Sequence, residues 1–83
     1  MTNAEMSDKL LDLLAKVSDT KRVRLEPDLA LYDTHILDSL MTIELIVAIE
    51  KNWGVKIPLS SFERESWATP HRFVTDVLGR IQA

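Results

Sequence analysis

No cysteine occurs in the 83 residues. That excludes a disulfide framework, a thiolate metal site and a cysteine nucleophile. Glycine is nearly as scarce, with only Gly54 and Gly79, so there is no glycine-rich loop to cradle a phosphate. The two histidines, His35 and His71, without cysteine make no recognisable metal site. Basic residues are too few for nucleic acid: 10 Lys and Arg against 13 Asp and Glu leave a formal charge of −3, whereas nucleic-acid binders carry clustered cations. Mild acidity favours partners with basic patches. No apolar stretch approaches the roughly 20 residues of a membrane helix, and no basic segment followed by an apolar run opens the chain, so no signal peptide is expected. A soluble, cytoplasmic monomer is predicted. A chain of this size buries only about 60–65% of its unfolded surface and has an expected stability of roughly 4–12 kcal/mol. There is little room in it for an enclosed active site.

What the chain does hold is helical period. Over 4–18, Met6, Leu10, Leu13, Leu14 and Val17 fall on one side, behind the capping-box pattern Thr2-Asn3-Ala4-Glu5. A second helix is predicted over 39–52, ending before a C-capping Gly54. A third is predicted over 70–81, with Thr69 as N-cap, Pro70 in the first turn, and a stripe of Phe73, Val74, Val77, Leu78 and Ile81. Ser60-Ser61-Phe62-Glu63 suits one short turn capped by Ser60 and closed by Glu63. Residues 55–59 alternate like a strand, but Pro58 and the lack of a pairing partner make them an extended connector. The stretch 19–38 is long for so small a domain. Its Val23, Leu25, Leu29, Leu31, Tyr32, Ile36 and Leu37 should hold it down across the helices. The expected fold is all-α, a single domain over 1–83: a small bundle of three main helices plus one short helix, with a long loop between the first and second. Trp53 and Trp67 are most simply core anchors.

The long loop delivers Asp38-Ser39-Leu40 to the start of the second helix. No Gly-x-Ser-x-Gly elbow surrounds Ser39. His35, four residues earlier, would still need an orienting acid and an oxyanion hole to make a triad. Such a serine reads as a point of attachment rather than a catalyst. Asp38 is a good N-cap, and a helix N-terminus offers free N–H groups and a positive dipole end that tolerate an attached phosphodiester.

The second helix carries two apolar arcs at about 100° per residue. Thr42, Leu45, Ile46, Ile49 and Trp53 suffice to face the core. Leu40, Ile43 and Val47 form a separate stripe, flanked by Glu44 and Lys51 on one side and Glu50 and Ser39 on the other; Met41 and Ala48 lie between the arcs. A surplus apolar stripe edged by charge suggests docking. Cover by the long loop or the last helix is the plainer alternative.

These residues resemble a known family. Leu31-Tyr32-Asp33, then Ile36-Leu37-Asp38-Ser39-Leu40, then a helix ending Trp53-Gly54-Val55, is similar to the phosphopantetheinyl carrier proteins, the acyl and peptidyl carriers. Pro58-x-Ser60-x-Phe62-x-Arg64 followed by Trp67-x-Thr69-Pro70 resembles the stand-alone D-alanyl carriers in particular. The resemblance implies a non-enzymatic carrier. A covalent 4′-phosphopantetheine on Ser39 would hold an aminoacyl or acyl thioester. Asp38 would be read by a phosphopantetheinyl transferase, with an adenylating aminoacyl ligase and a downstream acyltransferase or synthase as further partners. Leu40, Met41, Ile43, Glu44, Val47 and Lys51 are the candidate docking residues. Met41 stands where the D-alanyl carriers tend to have a small residue. That favours an amino-acid shuttle in natural-product assembly, antibiotic or polyketide, over D-alanylation of teichoic acid. The rival from another class is a cofactor-free helical docking module.

Overall fold

The computed structural model describes residues 2–82, and each helix begins where local chemistry satisfies its free amides. Helix α1 spans Asn3–Ser18. The Thr2 hydroxyl accepts the Glu5 N–H at 3.2 Å, the first half of the predicted capping box. The helix ends at Asp19, left-handed at φ 56°, whose N–H donates to the Ala15 carbonyl. Helix α3 spans Ser39–Trp53 and closes on Gly54 at φ 68°, a conformation that costs glycine nothing. Helix α4 spans Pro70–Gln82, and the Thr69 hydroxyl accepts the Arg72 N–H at 3.2 Å.

The predicted loop 19–38 contains a further element. One helical turn, α2, spans Arg22–Leu25. The Thr20 hydroxyl accepts the Arg22 N–H, Arg22 pairs with Glu26 at 2.8 Å, and Arg24 reaches back to Asp8 and Asp12 of α1. Only Val23 of the four is buried, so no period marks the turn. Leu25, expected to help hold the stretch down, is instead 78% exposed at the end of this turn, since a single turn can aim only Val23 inward; the other apolar residues of the stretch pack against the core as expected. Leu29, Leu31 and Leu37 are buried. The loop is tied to the other half of the chain by Leu31 N–H on the Ala68 carbonyl (2.9 Å) and His71 N–H on the Pro27 carbonyl (3.1 Å).

The connector predicted over 55–59 is free of helix and strand over 55–58, with Ile57 buried, while Leu59 already belongs to the turn that follows. The short turn after them is displaced and doubled. Two 3₁₀ turns occupy Leu59–Ser61 and Arg64–Trp67. Pro58, rather than Ser60, precedes the first, because its carbonyl accepts both the N–H and the hydroxyl of Ser61. Glu63 precedes the second turn instead of closing the first.

Helix α1 packs on α2, α3 and α4, and Leu10, Leu14, Leu45, Ile49, Phe73 and Val77 meet at the centre. Trp67 is wholly buried there, with its ring edge-on to Phe62 (4.7 Å) and Phe73 (4.9 Å). Its indole N–H donates to Asp76 at 2.9 Å, and Arg80 donates to the same oxygen. Trp53, also expected as a core anchor, is only half-buried at the end of α3.

Candidate functional site

The first turn of α3 is built by its own side chains. Asp38 Oδ1 accepts the Met41 N–H at 2.9 Å, the predicted N-cap. The Asp38 carbonyl accepts both the N–H (2.9 Å) and the hydroxyl (2.8 Å) of Thr42. Thr42 is buried, and its oxygen also lies 2.6 Å from the Tyr32 hydroxyl. Burial pushes the Tyr32 phenol above its ordinary pKa; the Thr42 bond and the Arg64 charge pull it back, and Asp38 pushes it up again.

Ser39, exposed on the same turn, is held from across the fold. Arg64 Nη2 donates to Ser39 Oγ at 2.8 Å. The Arg64 guanidinium stands over the Tyr32 ring, 5.0 Å from its centroid, within cation–π range. The contacts close a circuit: Ser39 and Thr42 on one face of α3, Tyr32 from the loop, and Arg64 from the second 3₁₀ turn. Beside it lies a cleft of about 270 Å³ lined by Ser39, Thr42, Ile43, Leu59, Phe62 and Arg64.

A guanidinium donates and takes no proton, so Arg64 cannot serve Ser39 as a base. His35 does not reach the serine oxygen. It is exposed, in a left-handed turn at φ 62°, and its ring makes no hydrogen bond among the described residues. The arrangement presents an unactivated hydroxyl beside a cation at a capped helix start. That suits esterification by a phosphate: the oxygen faces solvent, and the donor beside it can turn to an anion.

The docking candidates fall as follows. Leu40 is 65% exposed and Val47 58%, with Ile43 between them, and Glu44, Glu50 and Lys51 are exposed alongside. Neither the loop nor α4 covers the stripe. Met41 departs from expectation: it is half-buried and packs against the core. It therefore offers a partner less apolar surface than Leu40, Ile43 or Val47. Leu59, 58% exposed, meets Ile43 at the cleft and extends the stripe. Its place in a short turn after Pro58 carried no periodic signal. Arg64 was visible only as part of a motif; its contact with Ser39 spans 25 positions.

The family model for the phosphopantetheine attachment site matches residues 8–77. The D-alanyl carrier protein of Bacillus velezensis is 39% identical over 70 residues, covering 84% of this chain and 90% of that one. That of Staphylococcus saprophyticus is 34% identical over the same shares. That of Lacticaseibacillus casei is 32% identical over 77 residues, 93% of this chain and 95% of its own.

Proposed function

Because the chain belongs to the phosphopantetheine-attachment family and is a carrier protein, we propose that it carries D-alanine on an arm attached at Ser39, and that it is not itself an enzyme. The relatives favour this over the natural-product pathway suggested by Met41, since those named above are D-alanyl carriers. In this reading a phosphopantetheinyl transferase installs the arm, a D-alanine-activating adenylating ligase loads it, and a downstream acyltransferase unloads it toward teichoic acid. When bound, the 4′-phosphopantetheine supplies the thiol that this cysteine-free chain lacks and holds the cargo as a thioester. The chain's own residues do the rest. Asp38 fixes the start of α3, Ser39 anchors the arm, and Leu40, Ile43 and Val47 receive partners. Tethering raises the effective concentration of cargo at a docked partner.

The observation that carries this reading is Ser39 itself: an exposed hydroxyl on the first residue of a capped helix, within the matched span, with a cation and no base at hand. Incubation with coenzyme A, magnesium and a promiscuous transferase should add one phosphopantetheine by intact mass, and Ser39→Ala should add none while keeping its helical circular dichroism. The holo form should then take D-alanine from the ligase and ATP. A modified Ser39→Ala variant, or an unmodified wild type, refutes the assignment.

A further inference from the structure

The arginines of this chain are not used alike. Arg22 pairs with Glu26, Arg24 with Asp8 and Asp12, Arg72 with Glu65, and Arg80 with Asp76. Of the five arginines, all among the described residues, Arg64 alone has no carboxylate partner, although Asp33, Asp38, Glu63 and Glu65 are all close in sequence or at the same site. Its guanidinium is instead laid on the Tyr32 ring and aimed at Ser39 Oγ. The two ends of this placement are fixed separately. Tyr32 is held by the buried Thr42 hydroxyl, and the turn bearing Arg64 is anchored by the wholly buried Trp67 three residues on. A long cationic side chain left exposed and unanchored would sample many rotamers; here a ring underneath and a serine ahead restrict it.

We infer that Arg64 is a phosphodiester-binding residue that positions the arm at its root, a role that rests on Ser39 carrying the arm. Esterification turns Ser39 Oγ into a bridging oxygen, a poorer acceptor, and places two non-bridging phosphate oxygens two bonds from it, across the phosphorus. Arg64 Nη2 already lies 2.8 Å from Oγ, so the guanidinium needs only a small turn to reach them. Its planar fork matches such a pair of oxygens bidentately. With the phosphate drawn toward Arg64, the pantoyl end of the arm leaves over the cleft of Ile43, Leu59 and Phe62, where its methyl groups find apolar side chains. The stripe that receives partners and the root of the arm are then held on one side of the molecule.

The test uses holo wild type, Arg64→Gln and Arg64→Lys, each loaded with unlabelled phosphopantetheine by the transferase and checked by intact mass. The readouts are the phosphorus-31 resonance of the diester and nuclear Overhauser contacts between the pantoyl methyls and Phe62 or Ile43. Wild type should show a phosphorus shift that moves when salt is raised from 0.01 to 1 M, as screening shortens from about 30 to about 3 Å. Arg64→Gln should lose both the salt response and the methyl contacts. Arg64→Lys should keep the charge but weaken the contacts, by about two- to fivefold on the scale of exposed ion pairs. Apo Arg64→Gln should melt with wild type, since its side chain is exposed. A fully loaded Arg64→Gln whose phosphorus shift, salt response and methyl contacts equal those of wild type overturns this inference and leaves the attachment at Ser39 standing. Failure of wild type to gain the arm's mass overturns both.

Discussion

Trp67 is the side chain on which the site most depends, and its replacement by phenylalanine should be far costlier than the same change at Trp53. Truncating a buried tryptophan to alanine costs about 3–5 kcal/mol. Trp67→Phe removes roughly half of the ring, so about 1–2 kcal/mol of packing is forfeited, because Phe62 and Phe73 already meet it edge-on and cannot both close the gap. The lost indole N–H adds to this. A bond to a charged acceptor contributes about 1.5–3 kcal/mol, and Asp76 lies at the lower end, since it keeps Arg80 and its side chain is 24% exposed. The expected loss is about 2–4 kcal/mol, out of a total of roughly 4–12 kcal/mol. Trp53→Phe, half-buried and without a hydrogen bond among the described residues, should lose about 1 kcal/mol or less. Urea unfolding followed by circular dichroism decides between them, with unchanged slopes for both variants. Equal midpoints for the two, or a Trp67→Phe variant within about 0.5 kcal/mol of wild type, would refute the view that Trp67 and not Trp53 anchors the bundle.

Two further outcomes follow from the surface and the phenol. Val47→Arg should weaken binding to the loading ligase roughly tenfold, the scale of a lost apolar anchor, while the melting temperature stays within a degree or so of wild type; a sharp fall in melting would assign the stripe to the core. Tyr32 is the sole tyrosine, so an ultraviolet absorbance titration reads it alone, and its midpoint should lie above the ordinary 10.0. The neutral phenol is the form that folding favours, so stability is intact below about pH 10 and falls as pH rises beyond it. Arg64→Gln should raise the midpoint further, because the guanidinium now lowers it; a midpoint that drops in the variant would contradict the stacking of Arg64 on Tyr32.

The parts of the fold that were legible in the sequence are those whose cause is local. The ends of α1, α3 and α4 lie within one residue of their predicted bounds, because Thr2, Asp38, Gly54 and Thr69 act on amides and carbonyls a few positions away. The core arc of α3 was legible for the same reason, since a period is a local property. The one-turn α2 was not, as four residues with a single buried side chain define no period. Nor was the difference between Trp53 and Trp67, which depends on what packs above each ring. Met41 sits between two arcs of α3, and only the placement of the neighbouring elements turns it inward. At the site, Asp38 and Ser39 could be read directly, whereas the Arg64 and Tyr32 contacts required the loop and the second 3₁₀ turn to be folded onto α3.

His35 is a surface residue at which substitution should nevertheless be tightly limited. Its side chain makes no hydrogen bond among the described residues, yet its backbone sits at φ 62° and its N–H donates to the Tyr32 carbonyl at 3.1 Å, closing the bend that brings the chain to Asp38. Left-handed backbone costs most residues roughly 1–2 kcal/mol and is easiest for glycine, asparagine and aspartate. A saturation library at this one codon should therefore be enriched for those three and depleted of valine and isoleucine, a pattern more like that of a buried position than of an exposed loop.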